Sequence, residues 1–174
     1  MEALKLGLIC AIAFTFAMAS HAICAQTLEP SKVFAAVLED VQRTTDLKIL
    51  LPTAFPSQIK ESDIHYAEGS GSKGKYEITL FYEKEYGDSG LFGTFSAVSN
   101  RKPNSNLKKV GLTNGQIGYY RPKSCGGSCS PTYIAWTQGD VLYTAMLKLP
   151  AEPEIEDEKV MVEIVNSALS TAHR

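Results

Sequence analysis

The sequence predicts an α+β domain, with an antiparallel sheet of about five to seven strands and an N-terminal and a C-terminal helix packed on one face. Three observations carry this. Apolar stripes at helical spacing stand near both ends of the chain once its leader is set aside. Between them run segments with period-two alternation, rich in aromatic and β-branched residues. In the second half, Asn114-Gly115 and Gly139-Asp140 sit between such segments, where small or Asx residues suit tight hairpin turns.

The leader comes first. Lys5 precedes an apolar run from Leu6 to about Ala19, and small residues follow at Ala19, Ser20, Ala22 and Ala25. A short positive segment, an apolar segment and a small-x-small site read as a secretory signal peptide, residues 1–25, cut after Ala22 or Ala25. An uncleaved anchor would need Ser20 and His21 inside the roughly 20 apolar residues that span a bilayer. Lipidation at Cys24 would want a small residue where Ile23 stands. The expectation is an exported protein, periplasmic or secreted. It touches the membrane only through its signal peptide and carries a single domain over residues 26–174.

Within that domain, "EPSKVFAAVLEDVQRTTD" (29–46) reads as a helix with Val33, Phe34, Val37, Leu38 and Val41 on one stripe. "LKILLP" (47–52) reads as a strand or an extended segment against the core. "DIHYAE" (63–68) and "KYEITLFYEKE" (75–85) read as strands joined by a flexible glycine turn, "GSGSKGK". "YGDSGLFG" (86–93) reads as a loop and "TFSAVS" (94–99) as a further strand. Residues 107–121 and 132–149 read as two hairpins. The closing helix over 152–172 places Ile155, Val162, Val165 and Leu169 on one face, with Met161, Ile164 and Ala168 beside them. Its acidic first turns suit the positive end of the helix dipole.

The second half also carries a pattern. "VGLTNGQIGYY", a loop, "YIAWTQGDVLYTAML" and a helix ending "IVNSAL" resemble a bacterial extracytoplasmic domain of unknown function. That domain occurs in secreted proteins, lipoproteins and the outer parts of anti-sigma-type membrane proteins. The matching positions are Val110, Leu112, Gly115, Gly118, Tyr120, Ile134, Trp136, Gly139, Tyr143, Asn166, Ser167 and Leu169. The resemblance covers about residues 107–170 and implies no catalytic residues.

Four cysteines are present, and removing the leader to Ala25 leaves Cys125 and Cys129 in "SCGGSCS". In an oxidising compartment the simplest reading is one disulfide closing a small glycine-rich ring, adding about 2 kcal/mol at most. Two other readings stay open. Thiol redox chemistry usually uses C-x-x-C at a helix N-terminus, whereas here the spacing is C-x-x-x-C between strands. Copper handling would join the thiolates to a distant histidine, and the mature chain offers only His65 and His173.

Other chemistry finds little footing. There is no G-x-S-x-G elbow, and histidines are too few for an easy Ser–His–Asp triad. Five carboxylates in 152–158 lack the order of a calcium loop, and "GSGSKGK" lacks phosphate-loop spacing. No metal or cofactor is therefore expected. The net charge is −2, and "RKPNSNLKK" (101–109), with its four cations, reads as a solvated loop rather than a nucleic-acid surface. Alternation places Trp136 with Ile134 on a core face, and Tyr143 is read as core too. Tyr119 and Tyr133 then fall on the opposite face, where they form a candidate binding surface. The expected function is a non-catalytic envelope or secreted binding module. Its ligand would be a protein, a glycan or a small molecule.

Overall fold

The computed structural model describes residues 29–83, 90–125, 129–149 and 156–170. The expected signal peptide, the carboxylates at 152 and 154, Ile155 and His173 lie outside the described residues. The sheet is built from β1 (Tyr66–Ser72), β2 (Lys75–Phe81), β3 (Leu91–Ser99), β4 (Lys108–Gly111), β5 (Ile117–Arg121), β8 (Thr132–Gln138) and β9 (Val141–Leu147). A small separate ribbon pairs β6 (Ser124–Cys125) with β7 (Cys129–Ser130). The helices are α1 (Ala35–Thr44), entered through a 3-10 turn at Lys32–Phe34, and α2 (Asp157–Leu169). Seven strands pair antiparallel in the order β1-β2-β3-β9-β8-β5-β4. The α+β class and the helix positions expected from sequence are thus observed.

Register explains which face is buried. Rows such as Tyr76↔Ala97↔Tyr143↔Trp136 and Ile78↔Phe95↔Ala145↔Ile134 run across four strands, with Tyr120 opposite Ile134 on the next. All nine of these side chains are under 5% exposed. Period two puts them on one side of the pleat, and the helices cover that side. Phe34, just before the first turn of α1, and Val41 within it are fully buried, and Phe34 meets Phe95 edge-on at 5.5 Å. In α2 the buried stripe is Val160, Met161, Ile164, Val165 and Ala168. Val162 and Leu169 flank it half-buried, so the stripe is rotated from the one expected and takes in Val160.

Residues 47–52 are extended but join no strand of the sheet. Ile49, Leu50 and Leu51 are buried there, so backbone groups need partners from elsewhere. Tyrosines on the sheet supply them. The Tyr76 hydroxyl accepts from the Leu50 N–H (3.2 Å) and donates to its carbonyl (3.4 Å), and the Tyr143 hydroxyl donates to the Lys48 carbonyl (3.0 Å). From α2, Ser167 Oγ accepts from the Thr53 N–H at 2.9 Å, and Asn166 Oδ1 accepts from the Thr113 N–H at 2.8 Å. Two polar residues of the "NSAL" ending thereby tie the helix to the extended segment and to the β4–β5 turn.

The glycine stretch at 69–75 is a correction to the expected turn. Its first four residues belong to β1, and the turn itself is Lys73-Gly74, with Gly74 at φ +76°. The glycines serve packing instead: a Cβ at Gly69 would stand 2.6 Å from Val41 Cγ2 and 3.0 Å from Val37 Cβ, and one at Gly71 would meet Thr44 Oγ1. Absent side chains let α1 lie directly on the edge strand. Gly69→Ala should therefore destabilise by about 1–3 kcal/mol through overpacking. Urea unfolding reads this directly, and an unchanged midpoint would remove the close approach as a requirement.

Two strand limits also move. β1 starts at Tyr66 rather than residue 63, after a 3-10 turn at Glu61–Asp63. β3 starts at Leu91, inside the expected loop. Phe81 pairs with Leu91 and Leu80 with Gly93, so Phe92 is an extra residue in the ladder. The bulge turns its ring into the core, 5.7 Å from Phe55 and 5.3 Å from Tyr82.

Candidate functional site: the open sheet face

On the face opposite the helices, the crossover from β3 to β4 lies beside Tyr119 and Thr137. The centre of this face is a hydroxyl ladder: Ser96 and Thr144 lie 2.7 Å apart, and Thr79 and Thr94 3.4 Å apart. Half-buried threonines and serines on a solvated face are what an antiparallel sheet with one wet side requires. Toward β5 the character changes. Tyr119 stands opposite Ala135, Arg121 opposite Tyr133, and Tyr133 opposite Met146. The Arg121 guanidinium lies over the Tyr133 ring, 5.2 Å from its centroid, a cation–π contact. Burial raises the Tyr133 phenol above its ordinary pKa, and Arg121 works against that rise.

Tyr119 and Tyr133 are therefore where alternation placed them, together on the face opposite the helices, with Tyr120 on the other. Both are half-buried, so each presents a ring held by its neighbours rather than a swinging side chain. Trp136 and Tyr143 are core residues, 1% and 2% exposed, stacked with ring centroids 5.6 Å apart. Sequence reasoning missed Arg121 and Met146. Both share the face of Tyr119 and Tyr133, and strand parity was the available signal.

A cleft of about 630 Å³ borders this face. Tyr119 and Thr137 form its floor, Gly139 and Asp140 one end, and the crossover from β3 to β4, with Arg101, Lys102 and Pro103, its wall. The crossover is anchored where the Asn100 N–H donates to the Asp140 carbonyl at 2.8 Å.

The cysteine loop sits off the end of the same two strands. Cys125 and Cys129 are paired across β6 and β7, with sulfurs 2.14 Å apart and Cα atoms 4.0 Å apart, and both are exposed. Lys123 Nζ lies 3.3 Å from Asp157 Oδ2, which ties this connection to the start of α2. The disulfide closes the link between β5 and β8, the strands that carry Tyr119, Arg121 and Tyr133. Among the described residues, no group of three or more His, Cys, Asp or Glu side chains could hold a metal ion. No helix among them is long and apolar enough to cross a membrane.

Replacing both cysteines with serine should remove about 2 kcal/mol or less, because the closed ring is short. The near-UV circular dichroism of the Trp136–Tyr143 stack should persist at low temperature. Loss of that signal in the double variant would show that the staple organises the core and not just the loop.

No family model matches the chain, and no curated protein or solved structure shows significant similarity to it.

Proposed function

We propose that this protein is an exported, non-catalytic binding module whose ligand docks on the open sheet face around Tyr119 and Tyr133. The carrying observation is a pair of half-buried tyrosines on the face opposite the helices, one beneath an arginine with no carboxylate partner among the described residues. Aromatic rings with polar tips and an arginine give contact area at little entropic loss, which is why such residues dominate binding hot spots. The apolar leader and the disulfide support export. The resemblance of residues 107–170 to an extracytoplasmic domain fits the same reading.

A fragment screen tests this. Isotope-labelled mature protein is titrated with a library of small fragments, and shifted amide resonances are mapped. Hits should cluster on β5, β8 and β9 with side chains on the open face. Clustering under α1 or around the cysteine loop, or an absence of hits, would falsify the assignment.

A further inference from the structure

Resting on that reading, we infer that the ligand is an acidic polysaccharide segment, lying along β5 from the Arg101–Lys102 cleft to Arg121. Charge comes first. The chain is net negative, yet the ground around the tyrosines is basic. Lys109 stands opposite Tyr119, Arg121 opposite Tyr133, and Arg101 and Lys102 wall the cleft whose floor includes Tyr119. All four cations are exposed, and none makes an ion pair among the described residues. Asp140 is the single carboxylate lining the cleft among the described residues. Glu68 and Glu77, which share the open face, lie on β1 and β2, beyond β3 and β9. A patch of unneutralised cations against the overall charge asks for an anionic partner.

Shape and chemistry then select the kind of anion. The stripe is a flat strand surface, about 14 Å along β5 from Ile117 to Arg121. Its apolar anchors are the half-buried rings of Tyr119 and Tyr133, with Met146 beside them and Ile117, 49% exposed, at one end. Pyranose chairs present C–H faces that pack on tyrosine and hydroxyl rims that hydrogen-bond. Thr137 and Thr144 supply hydroxyls beside the stripe, each half-buried. Uronate carboxylates or sulfates along the polymer would meet Arg101, Lys102, Lys109 and Arg121 in turn, with the guanidinium forks suited to two-oxygen acceptors. Tyr119 lies between the cleft cations and Arg121, with Lys109 across from it, so ring and charge are paired along the stripe. An acidic peptide would use the charges but leave the ring platform idle.

The probe is an oligogalacturonate titrated into the mature, disulfide-intact protein at low ionic strength, followed by calorimetry and amide shifts. Its methyl ester keeps the rings and removes the charge, and polyglutamate keeps the charge and removes the rings. Oligogalacturonate should bind on the open face. Both controls should bind more weakly by on the order of tenfold, the loss of one good interaction. Tyr119→Ser with Tyr133→Ser should weaken the glycan similarly, and so should Arg101→Ser with Lys102→Ser. An unchanged near-UV signal from Trp136 would certify folding in both double variants. Equal binding of polyglutamate would overturn the saccharide assignment in favour of an acidic peptide. Equal binding of the methyl ester would overturn the charge argument. Absence of glycan binding sinks this inference alone if fragments still map to the face. If they do not, the binding-module reading has failed as well.

Discussion

Trp136→Ala should lower the unfolding free energy by about 3–5 kcal/mol, the range for deleting a large buried aromatic. Trp136 lies on β8, deep in the sheet, with β9 and three further strands to one side and β5 and β4 to the other. Its ring is 1% exposed and stacks on Tyr143 at an interplanar angle of 18°. Tyr143 in turn holds the Lys48 carbonyl, so the cavity opens beside the contact that fixes the extended segment. The indole N–H has no hydrogen-bond partner among the described residues. The residue therefore acts through packing, and Trp136→Phe should cost less than half as much as the alanine change. Against a total stability of about 5–15 kcal/mol, the alanine variant would be marginal and the phenylalanine variant well folded. Equilibrium unfolding in urea measures both. An alanine variant within about 0.5 kcal/mol of the parent, the scale of a surface change, would mean that the core closes over the gap.

This stretch of β8 also shows what the sequence makes legible. Parity along a strand is a local property: once 132–138 is a strand, Trp136 and Tyr133 must face opposite ways. The same rule separates Tyr119 from Tyr120. The two turn signals are legible because positive φ at Asn114, Gly115 and Gly139 is a local demand that those residues meet with little strain. Long-range causes are hidden. Gly69 and Gly71 look like a flexible turn until α1 is placed upon them. Phe92 looks like a loop residue until a bulge turns it inward. Strand order is equally hidden. Nothing in the chain around Asn100 announces that the following crossover passes β9, β8 and β5 to reach the edge and walls a cleft on the open face. The four cations of 101–109 are visible, but the tyrosine beside them is not, because it arrives from β5 through pairing and not through sequence.

Raising the pH from 9 to 12 should unfold the protein cooperatively, through its buried tyrosines. Burial pushes the phenols of Tyr120 and Tyr143 up to about 12, and that of Tyr76 higher still. For Tyr120 the nearby Asp157 and Glu158 add to the effect. In the unfolded chain each phenol ionises near pH 10. A group whose folded pKa is raised contributes its stability below the unfolded value and loses it as pH climbs through the folded one. The window is thus about pH 10 to 12. By its upper end roughly 1–2 kcal/mol is lost per phenol, after allowance for solvent screening at the rims of Tyr120 and Tyr143. Three such losses together approach the low end of a small domain's whole stability. Absorbance at 295 nm should report buried-tyrosine ionisation in step with collapse of the near-UV signal from the Trp136–Tyr143 stack. Tyr143→Phe isolates one contributor. It gives up the hydrogen bond to Lys48, about 1 kcal/mol at neutral pH, but it no longer has that phenol to ionise. Its stability curve should start lower than the parent's and converge with it as pH approaches 12. Parallel curves, or a near-UV signal that survives complete tyrosine ionisation, would show that the phenols reach solvent without opening the core.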